Sequence, residues 1–363
     1  MRKQFGKNKI IMLLGAGASC DAGMLNSFQM IGEIEKKLDA EWADYKGLYN
    51  YIQSSHFHLE RIKGVPAKEI IFNIENLVSL LETIIKISIK DLEVYPFVGS
   101  WEKELVAVTG NNFTHAENFK KKILSKLKDE WLSPADFKKL SSYYKKLKET
   151  NYTYPLKIFS LNYDMCVEEN LQNDTITIER GFSEEKLWDY RNYDLESEVP
   201  RDFYLYKLHG SLDWTRDEEK RLTYVDLVQR TDANQMEIIF GVQNKLQSYD
   251  PYLFYFYSFR EASFEAELII SSGYGFMDKH INDNLINAFR LNPDKKLLVN
   301  IFENEDSHGS KAKITIAERL QLGPNQMEVI NCPAKEFFNR YLNMEYFSSL
   351  FPEENSDDEV LPE

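Results

Sequence analysis

Four short stretches of this chain combine residue types that can bind phosphate, hold water or move a proton. The first is Gly15-Ala16-Gly17-Ala18-Ser19, directly after the apolar run Lys9 to Leu14. Small residues let a backbone approach a pyrophosphate, and a helix N-terminus beyond them favours negative charge. A dehydrogenase-type fingerprint needs glycine at 15, 17 and 20, and position 20 is Cys20. It also needs a second strand ending in an acid, whereas Glu33 and Glu35 fall inside a helical pattern. The second stretch, Phe159 to Asp164, puts Asn162 and Asp164 at the end of a predicted strand. They either line the crevice where open α/β sheets bind ligands or cap the next helix. The third, Lys207 to Trp214, places His209 at a strand end before Gly210. Its imidazole serves there as an acid or base, or is simply hydrogen-bonded. The fourth, Leu268 to Asn282, reads as strand, loop Gly273-Tyr274-Gly275-Phe276, and a helix capped by Asp278. Such a unit can cradle the other half of a dinucleotide.

The elements that must position these residues follow from apolar spacing. Residues 10–14 are apolar on both faces, as in a strand buried within a parallel sheet. Met24 to Leu38 has helical spacing. The next strand, Leu156 to Ser160, comes about 140 residues later, far beyond the roughly 30 of a simple βαβ unit. Residues 26–150 therefore read as a mainly helical insertion, with helices over Ile70 to Lys90 and Phe119 to Leu132. A further helix is expected from Ser133-Pro134 to about Lys148. Strands are expected at Phe203 to Leu208, Glu237 to Phe240, Glu267 to Ser271, Lys296 to Phe302 and Met327 to Asn331. Helices fit between them at Lys279 to Arg290 and after them at Lys335 to Leu342. This alternation predicts an α/β fold, a doubly wound Rossmann-like parallel sheet with a large helical insertion. The core is then 1–25 with 151–345. An acidic tail at 352–363 holds six acids and no base, a composition expected to be flexible.

Composition narrows the class. The chain has 363 residues, 43% hydrophobic and 28% charged, which suits a folded globular protein. Its net charge of −14 argues against a general nucleic-acid binder acting alone. A local basic stretch nevertheless runs from Lys120 to Glu149, with ten lysines against four acids. It is read as a solvated helical face, with a partner or nucleic-acid surface as the other reading. No apolar run spans a bilayer, and the first runs into glycines rather than a cleavage site, so a cytoplasmic protein is expected. Three cysteines, Cys20, Cys166 and Cys332, give neither a disulfide framework nor a four-cysteine metal site. His56 and His58 lack an obvious third ligand, so no metal is expected there either. Pro251 to Phe259 holds six aromatics in nine positions. As a strand it would leave one set unburied and suggest an interface; as a helix or strand buried on both faces by the insertion it would not.

Taken together, the four stretches resemble the sirtuin-like NAD-binding family. Gly15 to Ser19 is similar to its first glycine loop, Asn162 with Asp164 to its Asn-x-Asp element, and His209-Gly210 to its His-Gly. The run from Gly273 to Asn282 resembles the loop of the prokaryotic, non-deacetylase branch. Order and spacing agree over roughly residues 9–300. Two departures set the chain apart from the deacetylases: there is no four-cysteine zinc ribbon, and Met24 to Gln29 lacks the arginine of their Ile-Pro-Asp-Phe-Arg segment.

The resemblance implies an NAD+ glycohydrolase of anti-phage defence, releasing nicotinamide and ADP-ribose with no metal. Asn162, His209 and Asp164 would be the catalytic set. Asn162 would hold the water or a ribose hydroxyl, His209 would be the general base, and Asp164 would orient its neighbours. Gly15, Ala16, Gly17, Ala18, Ser19, Asp21 and Phe28 would bind NAD on one side. Gly273, Tyr274, Gly275 and Phe276 would bind it on the other. The alternatives are an NAD- or ADP-ribose-binding regulatory module without turnover, an ADP-ribosyl transferase, or a nuclease component of a complex. A homo-oligomer is expected, with a HerA-like hexameric ATPase as partner and a short Argonaute as runner-up. No membrane is expected, and nucleic acid only indirectly. The helical insertion is the obvious element to restrain a toxic activity.

Overall fold

The apolar runs form a parallel sheet because both of its faces are covered by helices. The computed structural model describes residues 3–88, 99–110, 113–150, 152–172, 176–193, 201–226, 232–240, 250–303 and 309–352. Strands β1 (Ile10–Leu14), β2 (Leu156–Ser160), β3 (Ile178–Glu179) and β4 (Phe203–Lys207) make one half of the sheet. A separate antiparallel hairpin, β5 (Trp214–Arg216) with β6 (Leu222–Tyr224), follows. β7 (Leu268–Ser272), β8 (Lys296–Ile301) and β9 (Met327–Asn331) complete the other half. The order is β3-β4-β2-β1-β7-β8-β9, every pairing parallel. One row of the ladder runs Lys207, Ser160, Leu14, Ser272, Asn300. Gly15, Asn162, His209 and Gly273 of the four stretches lie just past this row, on four neighbouring strands. The chain order reverses between β1 and β7, the switch point at which such sheets open a crevice.

Alternate residues of β1 serve the two faces. Ile10, Met12 and Leu14 join one core, and Ile11 and Leu13 join the other. The first core is shared with the insertion, whose helices are α1 (Ser27–Leu38), α2 (Lys46–Ile62), α3 (Ile74–Ser88), α4 (Gly99–Thr109), α5 (Thr114–Lys126), α6 (Phe137–Leu140) and α7 (Lys146–Glu149). α1 buries Met30, Ile31, Ile34 and Leu38, one stripe at helical spacing. α8 (Cys166–Leu171), α12 (Ala334–Arg340) and α13 (Met344–Ser349) contribute to the same core, and Phe347 is fully buried in it, past residue 345. The other face is covered by α9 (Tyr252–Glu265), α10 (Lys279–Leu291) and α11 (Ser310–Leu320).

Local chemistry corrects several expected boundaries. The first glycine stretch leads into a 3-10 helix, Ala16–Ala22, and α1 starts only at Ser27, where Asn26 and Gln29 form a capping box. α3 starts at Ile74 because Asn73 and Asn76 cap each other reciprocally, at 3.0 and 3.1 Å. The helix expected over 134–148 is broken into α6, a 3-10 turn at Ser141–Lys145, and α7. That turn buries Tyr143 and Tyr144 together, which a continuous helix would point in different directions. α5 likewise ends in a π turn, Leu127–Trp131.

Glu237 to Phe240 is not a strand of the sheet. Its backbone pairs with the loop after β4 and the start of β5, Ile239 N–H donating to His209 O at 2.9 Å and Glu237 N–H to Trp214 O at 2.9 Å. The aromatic run 251–259 is helical, the start of α9. It buries Tyr252, Tyr255 and Phe259 against the sheet face away from the insertion, leaving Leu253 and Tyr257 exposed. In the basic stretch, lysines 120, 126, 128, 138, 146 and 148 are each ion-paired with a carboxylate, which suits a solvated face. No helix among the described residues is long and apolar enough to cross a membrane. The acidic tail from residue 353 onward lies outside the described residues.

Candidate functional site

The two glycine loops are built against each other. Gly15 N–H donates to Ser272 O and Gly17 N–H to Gly273 O, both at 2.9 Å. A Cβ on Gly15 would lie 2.5 Å from Tyr274 Cα, and one on Gly17 would lie 2.8 Å from Gly273 Cα. Gly273 has φ +66°, and a Cβ there would lie 1.9 Å from Ala18 N. The residue types alone explain these glycines by the approach of a pyrophosphate. The structure gives them a nearer reason, the approach of one loop to the other. What the paired loops show to solvent is Ala16 and Gly275, with Gly17 and Gly273 partly covered. The helix N-terminus beyond the first loop is already taken, since Asn26 accepts the N–H groups of Phe28 and Gln29.

Asn162 is buried beside the first loop. Its amide nitrogen donates to Gly15 O at 2.9 Å and to Ser19 Oγ at 3.3 Å. Its Oδ1 is buried and has no hydrogen-bond partner among the described residues. A buried acceptor left unpaired costs about 1–3 kcal/mol, so this oxygen is a natural place for a bound hydroxyl or water. Ser19 Oγ is also 3.0 Å from Tyr144 OH, and Tyr143 OH donates to Ala18 O at 2.5 Å. The insertion therefore holds the loop from below.

Asp164 is equally buried, and its Oδ1 accepts the N–H of Cys166, the first residue of α8, at 3.0 Å. Its backbone carbonyl accepts the ammonium of Lys207. Lys207, Glu168, Arg180 and Asp213 form a buried charge cluster under this end of β4. Lys207 Nζ is 3.4 Å from Glu168 Oε1, and Arg180 Nη2 is 2.6 Å from Asp213 Oδ2. Burial pushes the Glu168 carboxyl above the ordinary range, against the pull of Lys207 and Arg180. The cluster ties the Asn162–Asp164 loop to the strand that carries His209.

His209 follows directly. Leu208 N–H donates to Ser160 O at 2.8 Å, and Gly210, at φ +90°, turns the chain where a Cβ would lie 2.1 Å from Glu237 O. His209 Nε2 lies 3.3 Å from Asp278 Oδ2, both side chains only 6% exposed. Tyr163 is near the imidazole, with ring centroids 6.4 Å apart. Burial, followed by the carboxylates of Glu75, Glu82 and Asp278, pushes the Tyr163 phenol well above its ordinary range. Two of those carboxylates belong to α3.

Other expected site residues are placed differently. Asp21 accepts Lys335 N–H at 2.8 Å at the start of α12. Phe28 is 52% exposed on α1. The side chains of Tyr274 and Phe276 are buried in the core away from the insertion, so only their backbone faces the loops. Burial and Asp21 push the Cys20 thiol up to about 11, which leaves no thiolate nucleophile near the first loop at neutral pH. Among the described residues no group of three His, Cys, Asp or Glu is arranged to hold a metal ion. Sequence reasoning takes Asp278 only as a helix cap and misses Tyr143, Tyr144, Lys207 and Arg319; none of these carries a local motif.

No curated protein matches the chain. Among solved structures, a Sir2 homologue mutant in complex with 2′-O-acetyl ADP ribose is 11% identical, covering 95% of this chain and 94% of that one, with a TM-score of 0.44. A Sir2 homologue–NAD complex is 11% identical over 94% of this chain and 90% of that one, with a TM-score of 0.42. Sir2Tm bound to a propionylated peptide is 12% identical over 92% and 91%, at 0.34. The stretch 156–322, which carries Asn162, Asp164, His209 and the second glycine loop, matches the family model of the SIR2-like domain.

Proposed function

We propose that the chain is an NAD+ glycohydrolase that releases nicotinamide and ADP-ribose. The observation that carries this reading is Asn162: its nitrogen is fixed by Gly15 and Ser19, its Oδ1 is buried without a hydrogen-bond partner among the described residues, and His209 leaves the adjacent strand at the same level of the sheet. The bond from nicotinamide N1 to ribose C1′ breaks, and its electron pair neutralises the pyridinium ring. The sugar passes through an oxocarbenium-like state. Asn162 Oδ1 accepts a hydrogen bond from a ribose hydroxyl or from the attacking water. That water's oxygen bonds to C1′, and its proton goes to the His209 imidazole. Asp164, bonded to the first residue of α8, holds the loop and takes no part in bond making. The SIR2-like match over 156–322 supports the family setting of this reading.

The defence role rests on the resemblance of the ordered motifs, and so do a homo-oligomeric state and a HerA-like ATPase or short Argonaute partner. Nicotinamide release from NAD+ tests the chemistry. Asn162→Ala and His209→Ala should each lower turnover by about 10²-fold or more. Wild-type-like turnover in both variants refutes the assignment. NAD+ recovered intact after long incubation, with the co-purified partner present, would replace it with a binding module.

A further inference from the structure

His209 has a backbone held on both sides, by Ser160 O before it and by Ile239 after it. None of those bonds touches the imidazole, which is free to turn about its side-chain torsions unless another group holds it. Among the described residues Asp278 Oδ2 lies at ion-pair distance, 3.3 Å from Nε2, and is equally buried.

Asp278 is well suited to hold it, because its two oxygens have separate tasks. Oδ1 accepts the N–H groups of His280 at 3.0 Å and Ile281 at 3.4 Å, capping the thirteen-residue α10. Oδ2 lies toward His209. The loop before Asp278 is clamped as well. Tyr274 OH donates to Asp278 O at 3.2 Å and is bonded to Asn282 Oδ1 at 2.9 Å. Phe276, in the left-handed region at φ +54°, has its carbonyl held by Asn282 Nδ2 at 2.7 Å and by Arg319 Nη1 at 2.9 Å. A non-glycine residue kept in that conformation implies a loop whose shape is over-determined.

We propose that Asp278 is the positioning carboxylate of His209, fixing the imidazole through Nε2 and thereby tying the second glycine loop to the general base; this rests on the glycohydrolase reading given above. A carboxylate at Nε2 keeps the ring proton there, so Nδ1 is the nitrogen that takes a proton. The carboxylate's part is orientation of the ring, one of the roles the buried aspartate plays in hydrolase triads.

Asp278→Asn separates this role from capping, because asparagine caps as well as aspartate. With Oδ1 kept by the α10 amides, the new NH2 faces Nε2, a donor against a donor. The ring proton must move to Nδ1. Asp278→Ser keeps the cap and withdraws from the imidazole. The experiment is steady-state nicotinamide release, thermal unfolding and 15N resonances of the His209 ring, on the full chain. Both variants should unfold within a few degrees of wild type and lose about 10²-fold or more in kcat, with KM for NAD+ changed little. Asp278→Asn should show the ring proton on Nδ1. Added to His209→Ala, it should cost nothing further.

Wild-type kcat in Asp278→Asn alongside an inactive His209→Ala overturns the proposal. So do losses that multiply in the double variant, or an unchanged ring-nitrogen pattern. Full activity in His209→Ala instead overturns the glycohydrolase role of His209. In that case, as in a preparation with no turnover, the ring resonances still decide whether Asp278 sets the imidazole.

Discussion

Gly273→Ala is the sharpest test of the claim that the two glycine loops are fitted to each other. The added Cβ would lie 1.9 Å from Ala18 N, 2.3 Å from Gly17 C and 2.6 Å from Gly17 Cα. All three are backbone atoms, so no side chain can swing aside. Relief needs a movement of more than about 1 Å to restore ordinary contact, which breaks Gly17 N–H to Gly273 O and strains Gly273 N–H to Asn300 O, both 2.9 Å. The left-handed conformation costs alanine about 1–2 kcal/mol, and a backbone group left unpaired costs about 1–3 kcal/mol. The total is about 2–5 kcal/mol, a large share of the 5–15 kcal/mol that holds a typical domain folded. Gly275→Ala, two residues on, is the control. Its Cβ would meet only Met277 Cγ at 3.7 Å, and its φ is not in the left-handed region; the expected change is within about 0.5 kcal/mol. Urea unfolding of both variants measures the difference. If Gly273→Ala is as stable as Gly275→Ala, the loops are not packed as described, and the glycines must be explained by a ligand alone.

Two further perturbations probe the scaffold. Gly32 lies inside α1, and a Cβ added there would meet nothing within 4 Å, so Gly32→Ala should raise stability by about 0.5–1 kcal/mol; a loss in thermal unfolding would mean that the helix surface there is covered. Lys295 is buried, and burial followed by Lys9 lowers its ammonium from 10.5 to about 8. The unfolded chain then binds a proton between about 8 and 10.5 that the folded chain does not. The stability this group contributes is present above 10.5 and is lost as pH falls to about 8. Urea midpoints should therefore rise with pH across that window in wild type more steeply than in Lys295→Met, and parallel curves would refute the shift.

What was legible in the sequence is what local patterning can encode. β1, β2, β4, β7, β8 and β9 are runs of apolar residues because both faces of the sheet are buried, and Gly15, Asn162, His209 and Gly273 stood out because each sits where such a run stops. What was not legible depends on partners distant along the chain. Tyr144 meets Ser19 across 125 residues, and His209 meets Asp278 only because β4 and β7 flank the same pair of strands. Glu237 to Phe240 has the composition of a strand, but its hydrogen-bond partner is a loop. The aromatic run at 251–259 is apolar nearly all round, so its residue types gave no period by which to choose helix over strand. Residues 134–148 have helix-forming composition, yet burying Tyr143 and Tyr144 together under the first loop overrode that propensity.

The insertion is best understood as part of the crevice rather than an appended regulator. Its helices share one continuous core with Ile10, Met12, Leu14, Leu156 and Ile158 of the sheet. Tyr143 and Tyr144 hold Ala18 and Ser19, and Ser19 in turn holds Asn162. Removing residues 26–150 would strip from those five strand residues the cover that α8, α12 and α13 do not supply. At up to about 1.5–3 kcal/mol for each large apolar side chain, that loss approaches the whole stability of a domain. A deletion would therefore report unfolding and say nothing about restraint of activity. Restraint has to be probed by single atoms: Tyr144→Phe removes one hydroxyl from the chain Tyr144–Ser19–Asn162 at a cost of about 0.5–1.5 kcal/mol and leaves the shared core intact. A change in turnover without a matching loss of fold would place control of Asn162 in the insertion, and turnover indifferent to the hydroxyl would confine the insertion to packing.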